Sequence, residues 1–339
     1  MIPLRNILLF HYNFMNKLRF VFSILVSLVV SHTVLAQADV HRPNIIGLSH
    51  LGLWVKDLDA SRQFYKNYLG FDEPYSITNN DGTIHATWIK INDKQTVELF
   101  PISKSTPKNG DSLYHIALET DDAEGMLKYL KSKGVTGPGG KPLPEKVGKG
   151  KIGNLNFFAE DPDHHIVEIV QYAADGWTAK NTGKSLPATR IAARISHAGV
   201  SVGNLEKSLK FYRDILGLTE FWRGSSDNVT LSWVNERLPQ SRDYIELMLY
   251  GKKPSVERLH TMNHMCLEVP SIFVVDNTLK SRELPKTCKK PTAIKAGVNR
   301  KRQINCFDPD GTRVEIMEDT TVDGKPTPSS STPPPVSED

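Results

Sequence analysis

Two histidines and two glutamates recur in this chain in the same order and at nearly the same spacing, and no other feature constrains it as much. His50, Glu98, His115 and Glu168 form the first set and His197, Glu246, His264 and Glu315 the second; subtracting position by position gives offsets of 147, 148, 149 and 147. The flanking segments repeat with them. LSHLGLWVKDLDASRQFYKNYLGF at 48–71 matches ISHAGVSVGNLEKSLKFYRDILGL at 195–218, and EDPDHHIVEIV at 160–170 matches FDPDGTRVEIM at 307–317. An internal repeat outranks other signals in setting domain boundaries. It places a first domain at 44–172, a polar linker at 173–193 and a second domain at 194–318.

The ends read differently. Residues 21–36 are mostly apolar, follow Lys17 and Arg19, and close on small residues, which predicts a signal peptide over 1–38 with cleavage after Ala36 or Ala38. That implies a secreted or periplasmic protein, with no stable membrane span once the segment is removed. Residues 319–339 carry five prolines and a run of serines, the composition of a disordered tail. Three cysteines, Cys266, Cys288 and Cys306, cannot form a complete disulfide set, so the fold must rest on its core. A formal net charge of +4 over 339 residues is too weak to indicate nucleic acid, and no nucleic-acid-binding motif accompanies it.

Within each repeat, short alternating strands enclose a helix. The first helix starts near Asp57 or Asp59 and stops before Gly70; its counterpart starts at Asn204 and stops at Gly217. A second helix in the first repeat, capped by Asp121, ends at Gly134. Strand parity then sorts the side chains. In TVELF, IVEIV, YIELM and RVEIM the apolar neighbours point one way and Glu98, Glu168, Glu246 and Glu315 the other. Helices should cover the apolar face, and the ionisable face should line a cleft.

Two imidazoles with two carboxylates suit a divalent cation in an open octahedral site; Zn, Ni, Mn and Fe(II) all accept such donors. Cys266, two residues after His264, shares its face and reads best as a small space-filling residue. Trp54, Trp88, Phe221, Trp222 and Trp233 are candidates for pocket wall or core. The lysine-rich loops at 138–151 and 284–302 read as solvated loops, with a lid as the alternative.

The order strand-His, helix ending in FY-x-x-x-LG, strand-Glu, strand-His, then DPD before a strand carrying Glu resembles the vicinal oxygen chelate superfamily. That superfamily includes glyoxalase I, methylmalonyl-CoA epimerase, bleomycin resistance proteins and extradiol dioxygenases. The resemblance implies an α+β fold of two tandem domains, each of two paired βαβββ modules curled into a metal-binding cup. It implies that the eight residues above are the metal ligands, and that Glu168 or Glu315 moves a proton through a metal-held enolate of a small oxygenated substrate, as in glyoxalase I or an epimerase. Two alternatives stay open: an extradiol-type dioxygenase with Fe(II) held by His197, His264 and Glu315, and a non-catalytic small-molecule binding protein. A homodimer is also open, since in this superfamily a cup can form between modules of two chains.

Overall fold

The computed structural model describes residues 40–103, 106 and 110–336, and from Arg42 onward the chain forms one compact unit. The expected signal peptide lies outside the described residues. No helix among the described residues is long and apolar enough to cross a membrane.

The first domain runs β1 (Ile45–Val55), a helix α1 (Leu58–Arg62, continued by a π-helical turn Gln63–Tyr68), β2 (Asp72–Thr78), β3 (Ile84–Lys90) and β4 (Thr96–Pro101). It continues with β5 (Leu113–Thr120), α2 (Ala123–Ser132), the short β6 (Thr136–Gly137), β7 (Lys141–Pro142) and β8 (Gly148–Lys149), then β9 (Leu155–Glu160) and β10 (Ile166–Gln171). A one-turn helix α3 (Trp177–Lys180) lies in the linker. The second domain repeats the plan: β11 (Arg194–Val202), α4 (Leu205–Leu209, continued by Lys210–Ile215), β12 (Thr219–Gly224), β13 (Trp233–Arg237), β14 (Tyr244–Leu249), α5 (Val256–Met262), β15 (His264–Val269), α6 (Ile272–Lys280), β16 (Lys295–Ala296), β17 (Lys301–Phe307) and β18 (Arg313–Thr321).

Each domain is built on one eight-stranded sheet, in the order β2-β3-β4-β1-β5-β10-β9-β8 and again β12-β13-β14-β11-β15-β18-β17-β16. The two modules of a domain therefore pair within the same chain, and their four innermost strands are those carrying the His and Glu positions. The expected α+β tandem architecture is what the chain adopts. Leu51, Leu53, Val97, Leu99, Val167 and Ile169 in one domain, and Val200, Ile245, Leu247, Val314 and Ile316 in the other, are at most 1 % exposed. That is the apolar face read from strand parity. The helix starts follow from local chemistry: the Asp57 side chain caps Ala60 N–H and Asn204 caps Lys207 N–H, while Gly70 and Gly217 end the helices at φ 82° and 75°. The cap of α2 is Asp122, whose carboxylate accepts from Gly125 N–H; Asp121, the expected cap, instead binds the backbone and side chain of Asn44. Both are acidic and adjacent, so sequence alone could not choose between them.

The linker and the tail are more structured than their composition suggests. Lys90, buried on β3, donates to the carbonyls of Asn181 and Lys184, and the Trp177 ring lies 5.5 Å from Tyr75 on β2. At the other end, the proline-rich stretch runs along the edge strand β12 rather than standing free of the fold. Ser330 N–H donates to Arg223 O, Leu231 N–H to Pro333 O, and Trp222 Nε1 to Pro328 O. An uncovered edge strand invites pairing with other chains, and a strap that cannot itself continue the sheet closes it. Truncation after Gly324 is expected to cost about 1–2 kcal/mol, given the usual net worth of such hydrogen bonds, and to promote self-association; denaturant unfolding and light scattering check both.

The two domains also lock each other. In the first, Tyr212 of α4 donates to Asp161 and Gly203 N–H to Asp163. In the second, Tyr65 of α1 donates to Asp308 and Lys56 N–H to Asp310. Each Asp-Pro-Asp turn thus feeds its own last strand, as expected, and also grips the first helix of the other domain. The Gln95 amide completes the junction by donating to the carbonyls of Leu48 and Ile195.

Candidate metal centres

The parallel and antiparallel ladders bring the four positions of each set together. In the first cup, His50 faces β5 from β1, Glu98 lies on β4 beside Gly52, and Glu168 on β10 pairs with Ala117. His50 Nε2 lies 3.0 Å from His115 Nε2, 3.0 Å from Glu168 Oε2 and 3.4 Å from Glu98 Oε1. His115 Nε2 lies 3.2 Å from Glu168 Oε2 and 3.9 Å from Glu98 Oε2. In the second cup, His197 Nε2 and His264 Nε2 are 3.2 Å apart, Glu315 Oε2 is 3.3 Å and 3.4 Å from them, and Glu246 Oε2 is 3.9 Å and 3.7 Å away. Donor atoms about 2.0–2.2 Å from a common ion stand roughly 3 Å apart when at right angles, so both sets have the spacing of a shared divalent cation.

A feature absent from the sequence reading explains how two imidazoles come so close. Gly52 pairs with His115 across the sheet, and Gly199 with His264. A Cβ on Gly52 would stand 2.3 Å from His115 Cε1, and one on Gly199 2.1 Å from His264 Cε1. Each second histidine lies flat against a backbone that only glycine leaves open. The signal was present as His-x-Gly at 50–52 and 197–199.

The hydrogen bonds behind the histidines set their tautomers. Tyr172 donates to Lys94 O, so its oxygen accepts from Ser49, whose own oxygen then accepts from His50 Nδ1–H. That leaves the Nε2 lone pair of His50 facing the cup. His264 Nδ1–H donates to Met262 O at 2.7 Å with the same result. Ser196, bonded to Cys266 O, places His197 likewise over longer contacts of 3.4 Å. Orienting partners of this kind are what metal-ligating histidines require. The donor set and spacing fit a divalent metal in each cup, and the tautomers of His50, His197 and His264 fit it as well, while His115 Nδ1 is buried without a partner.

Burial divides the carboxylates. Desolvation pushes Glu98 and Glu246 above the ordinary carboxylate range, whereas at Glu168 and Glu315 the nearby histidines overcome desolvation and hold the groups ionised. Asn156 Nδ2 also donates to Glu168, and Trp88 Nε1 to Glu98. Desolvation, then the Arg313 charge, drives His264 down to about 3. Cys266 is fully buried in the second cup's floor, and desolvation raises its thiol well above the usual range, so it fills space as expected and stays protonated.

The surroundings of the two cups differ. The cavity reaching His50 and Glu98 holds about 10 Å³, room for one water or ion, with Trp177 and Thr178 of the linker in its wall. Beside it, the half-buried rings of Phe100, Tyr114 and Phe158 pack edge-on to or around His115. Trp54 stacks on Tyr114 rather than reaching the ligands. The cavity reaching Glu246 and Glu315 holds about 240 Å³, and Trp222, Trp233 and residues 295–299 of the lysine-rich loop line it. Phe221 lies outside it, half-exposed under Arg237.

The family model described as Glyoxalase/Bleomycin resistance protein/Dioxygenase superfamily matches residues 47–169 and again 194–316. The chain belongs to this superfamily. Lactoylglutathione lyase of Schizosaccharomyces pombe is 24% identical over 314 residues, covering 80% of this chain and 96% of that one. Among solved structures, the Mn(II)-bound glyoxalase from Novosphingobium aromaticivorans superposes with a TM-score of 0.62 at 18% identity, covering 86% of this chain and 88% of that one. A variant of homoprotocatechuate 2,3-dioxygenase from Brevibacterium fuscum gives 0.60 at 18% identity, covering 87% and 76%. The relatives of this superfamily chain thus include enzymes of different reactions on one scaffold, and the scaffold alone does not select among them.

Proposed function

We propose that this protein is an exported, divalent-metal-dependent enzyme that moves a proton on a small oxygenated compound, and that the second cup is the reacting one. The supporting observation is the pair of clusters, His197, Glu246, His264 and Glu315 in the second cup and His50, Glu98 and His115 in the first with Glu168 beside its histidines; the cavity reaching the second has room for a substrate, whereas that reaching the first holds about 10 Å³. A bound divalent metal would supply Lewis-acid polarisation of adjacent substrate oxygens. His197, His264, Glu246 and Glu315 would hold it. Glu315 would take and return the proton as general base and acid, with Glu168 as its counterpart in the first cup. Trp222 and Trp233 would shield the reacting atoms from bulk water.

Among the described residues no histidine or tyrosine lines this cavity, which favours the proton-transfer reading over an extradiol-type reaction. The test is elemental analysis of purified, metal-soaked protein, paired with proton exchange from α-hydroxycarbonyl compounds followed by NMR. The expected result is two metals per chain and exchange that disappears in His197→Ala. Protein that takes up no divalent metal would overturn the reading. Export is tested separately by sequencing the N-terminus of the mature protein, expected at or just after residue 37.

A further inference from the structure

The inference rests on the reading of the second cup as the substrate site and names what that cup selects. Arg313, on β18 two residues before Glu315, is half-buried in the cavity wall. Its Nη2 lies 2.8 Å from the His264 ring nitrogens and 3.5 Å from Met248 Sδ, and its Nε is buried without a hydrogen-bond partner. Glu246 and Glu315 pair with the histidines; the Arg313 charge acts on both carboxylates, but no ion pair within 4 Å reaches it among the described residues. A guanidinium cannot shed its charge, and a buried Nε–H left without an acceptor is a donor still to be met. The cavity is the open space that Arg313 adjoins.

Asn305 lines the same cavity, and Asn235 lies behind Glu246 on the same sheet face. Asn235 stands directly opposite Glu246 in the ladder and Asn305 opposite Glu315, so both share the face of the ligands. They are 4 % and 6 % exposed, and each Oδ1 is buried without a partner. In the first cup the matching positions hold Trp88 opposite Glu98, Phe158 opposite Glu168, and Ile166 two residues before Glu168. The duplicated scaffold thus carries three apolar side chains around one ligand set and three polar ones around the other. Unmet polar groups of this kind call for partners that core packing does not provide.

We propose that the second cup selects a small hydroxycarboxylic acid, with its carboxylate on Arg313 and a hydroxyl proton donated to Asn305. The planar fork of the guanidinium matches a planar carboxylate. A cavity of about 240 Å³ falls below the span usual for drug-sized ligands, which sets the scale at a few carbons.

The experiment titrates the full-length protein with lactate and glycerate, with 1,2-propanediol as the neutral counterpart and 2-hydroxyethylphosphonate as the more highly charged one. Calorimetry and the fluorescence of Trp222 and Trp233 report binding. The acids are expected to bind more tightly than the diol, and Arg313→Gln to weaken them at least about tenfold, the scale of a charge-assisted hydrogen bond, while leaving the diol unchanged. Asn305→Leu, which restores first-cup character, is expected to weaken the acids severalfold and serves if Arg313→Gln does not fold by circular dichroism. Equal binding of acid and diol, acid binding insensitive to both substitutions, or a preference for the phosphonate would each overturn the proposal. Elemental analysis of the same samples separates the two readings. A metal-free second cup sinks the enzymatic function proposed above, whereas Arg313-dependent acid binding measured without metal still supports the anion site.

Discussion

His264→Ala is expected to lower metal affinity in the second cup by more than about 100-fold and to leave one metal per chain in the first. The scale follows because losing even an orienting partner of a metal-bound histidine typically costs 10–100-fold, and here the ligand itself is removed. His197 and Glu315 remain, but the pocket that held His264 against Gly199 is emptied, and Arg313 loses the ring on which it rests. His115→Ala is the matched control in the first cup. If the second cup carries the reaction, only the substitution there abolishes turnover, while both variants drop to one metal per chain. Turnover lost with His115→Ala and retained with His264→Ala would reverse the assignment of cups. The same geometry gives a structural corollary: Gly199→Ala places a methyl group within the His264 ring and should mimic its loss.

The second large effect lies at the domain junction. Asp161→Ala is expected to destabilise the protein by about 3–5 kcal/mol, the range for removing one partner of a buried pair. Asp161 sits between the buried His165 and the Tyr212 hydroxyl of the other domain, and His165 Nε2 reaches Ser201 on β11. Desolvation opposes charge on His165, but Asp161 and then Asp163 more than offset it and hold the imidazole up at about 9. A folded-state value above the ordinary 6.5 means the pair's contribution is complete below about pH 6.5 and is lost as pH rises through about 9. Urea unfolding at pH 6, 8 and 9.5 should show wild-type stability falling across that window. Asp161→Ala should be weaker at pH 6 and nearly flat. Parallel pH profiles for the two proteins would remove the junction from the explanation. The equivalent turn in the second domain has Thr312 in place of His165 and bonds to Ser112, so the imidazole belongs to one side of the junction alone.

Much of this was legible before any coordinates, because strands have a period of two. Once Glu98, Glu168, Glu246 and Glu315 oppose their apolar neighbours, a sheet with one buried face has few ways to place them, and they must share the face of His50, His115, His197 and His264. The helix stops at Gly70 and Gly217 were readable for an equally local reason, the positive φ each adopts. The choice of Asp122 over Asp121, the folded-down tail and the linker wall around the first cup were not readable. Each depends on what lies across space from the segment, and composition carries no record of that.

The sequence by itself determined the duplication, the two four-residue donor sets and the superfamily, because these are properties of order and spacing. Only the tertiary structure decided that the cups differ. The partners that close one cup with Trp177 and leave Arg313 and Asn305 lining a cavity in the other come from distant parts of the chain. The same distance hides the crossed grip of each Asp-Pro-Asp turn on the opposite domain. Burial and electrostatic balance arise from packing between segments far apart in sequence, so a local pattern cannot encode them.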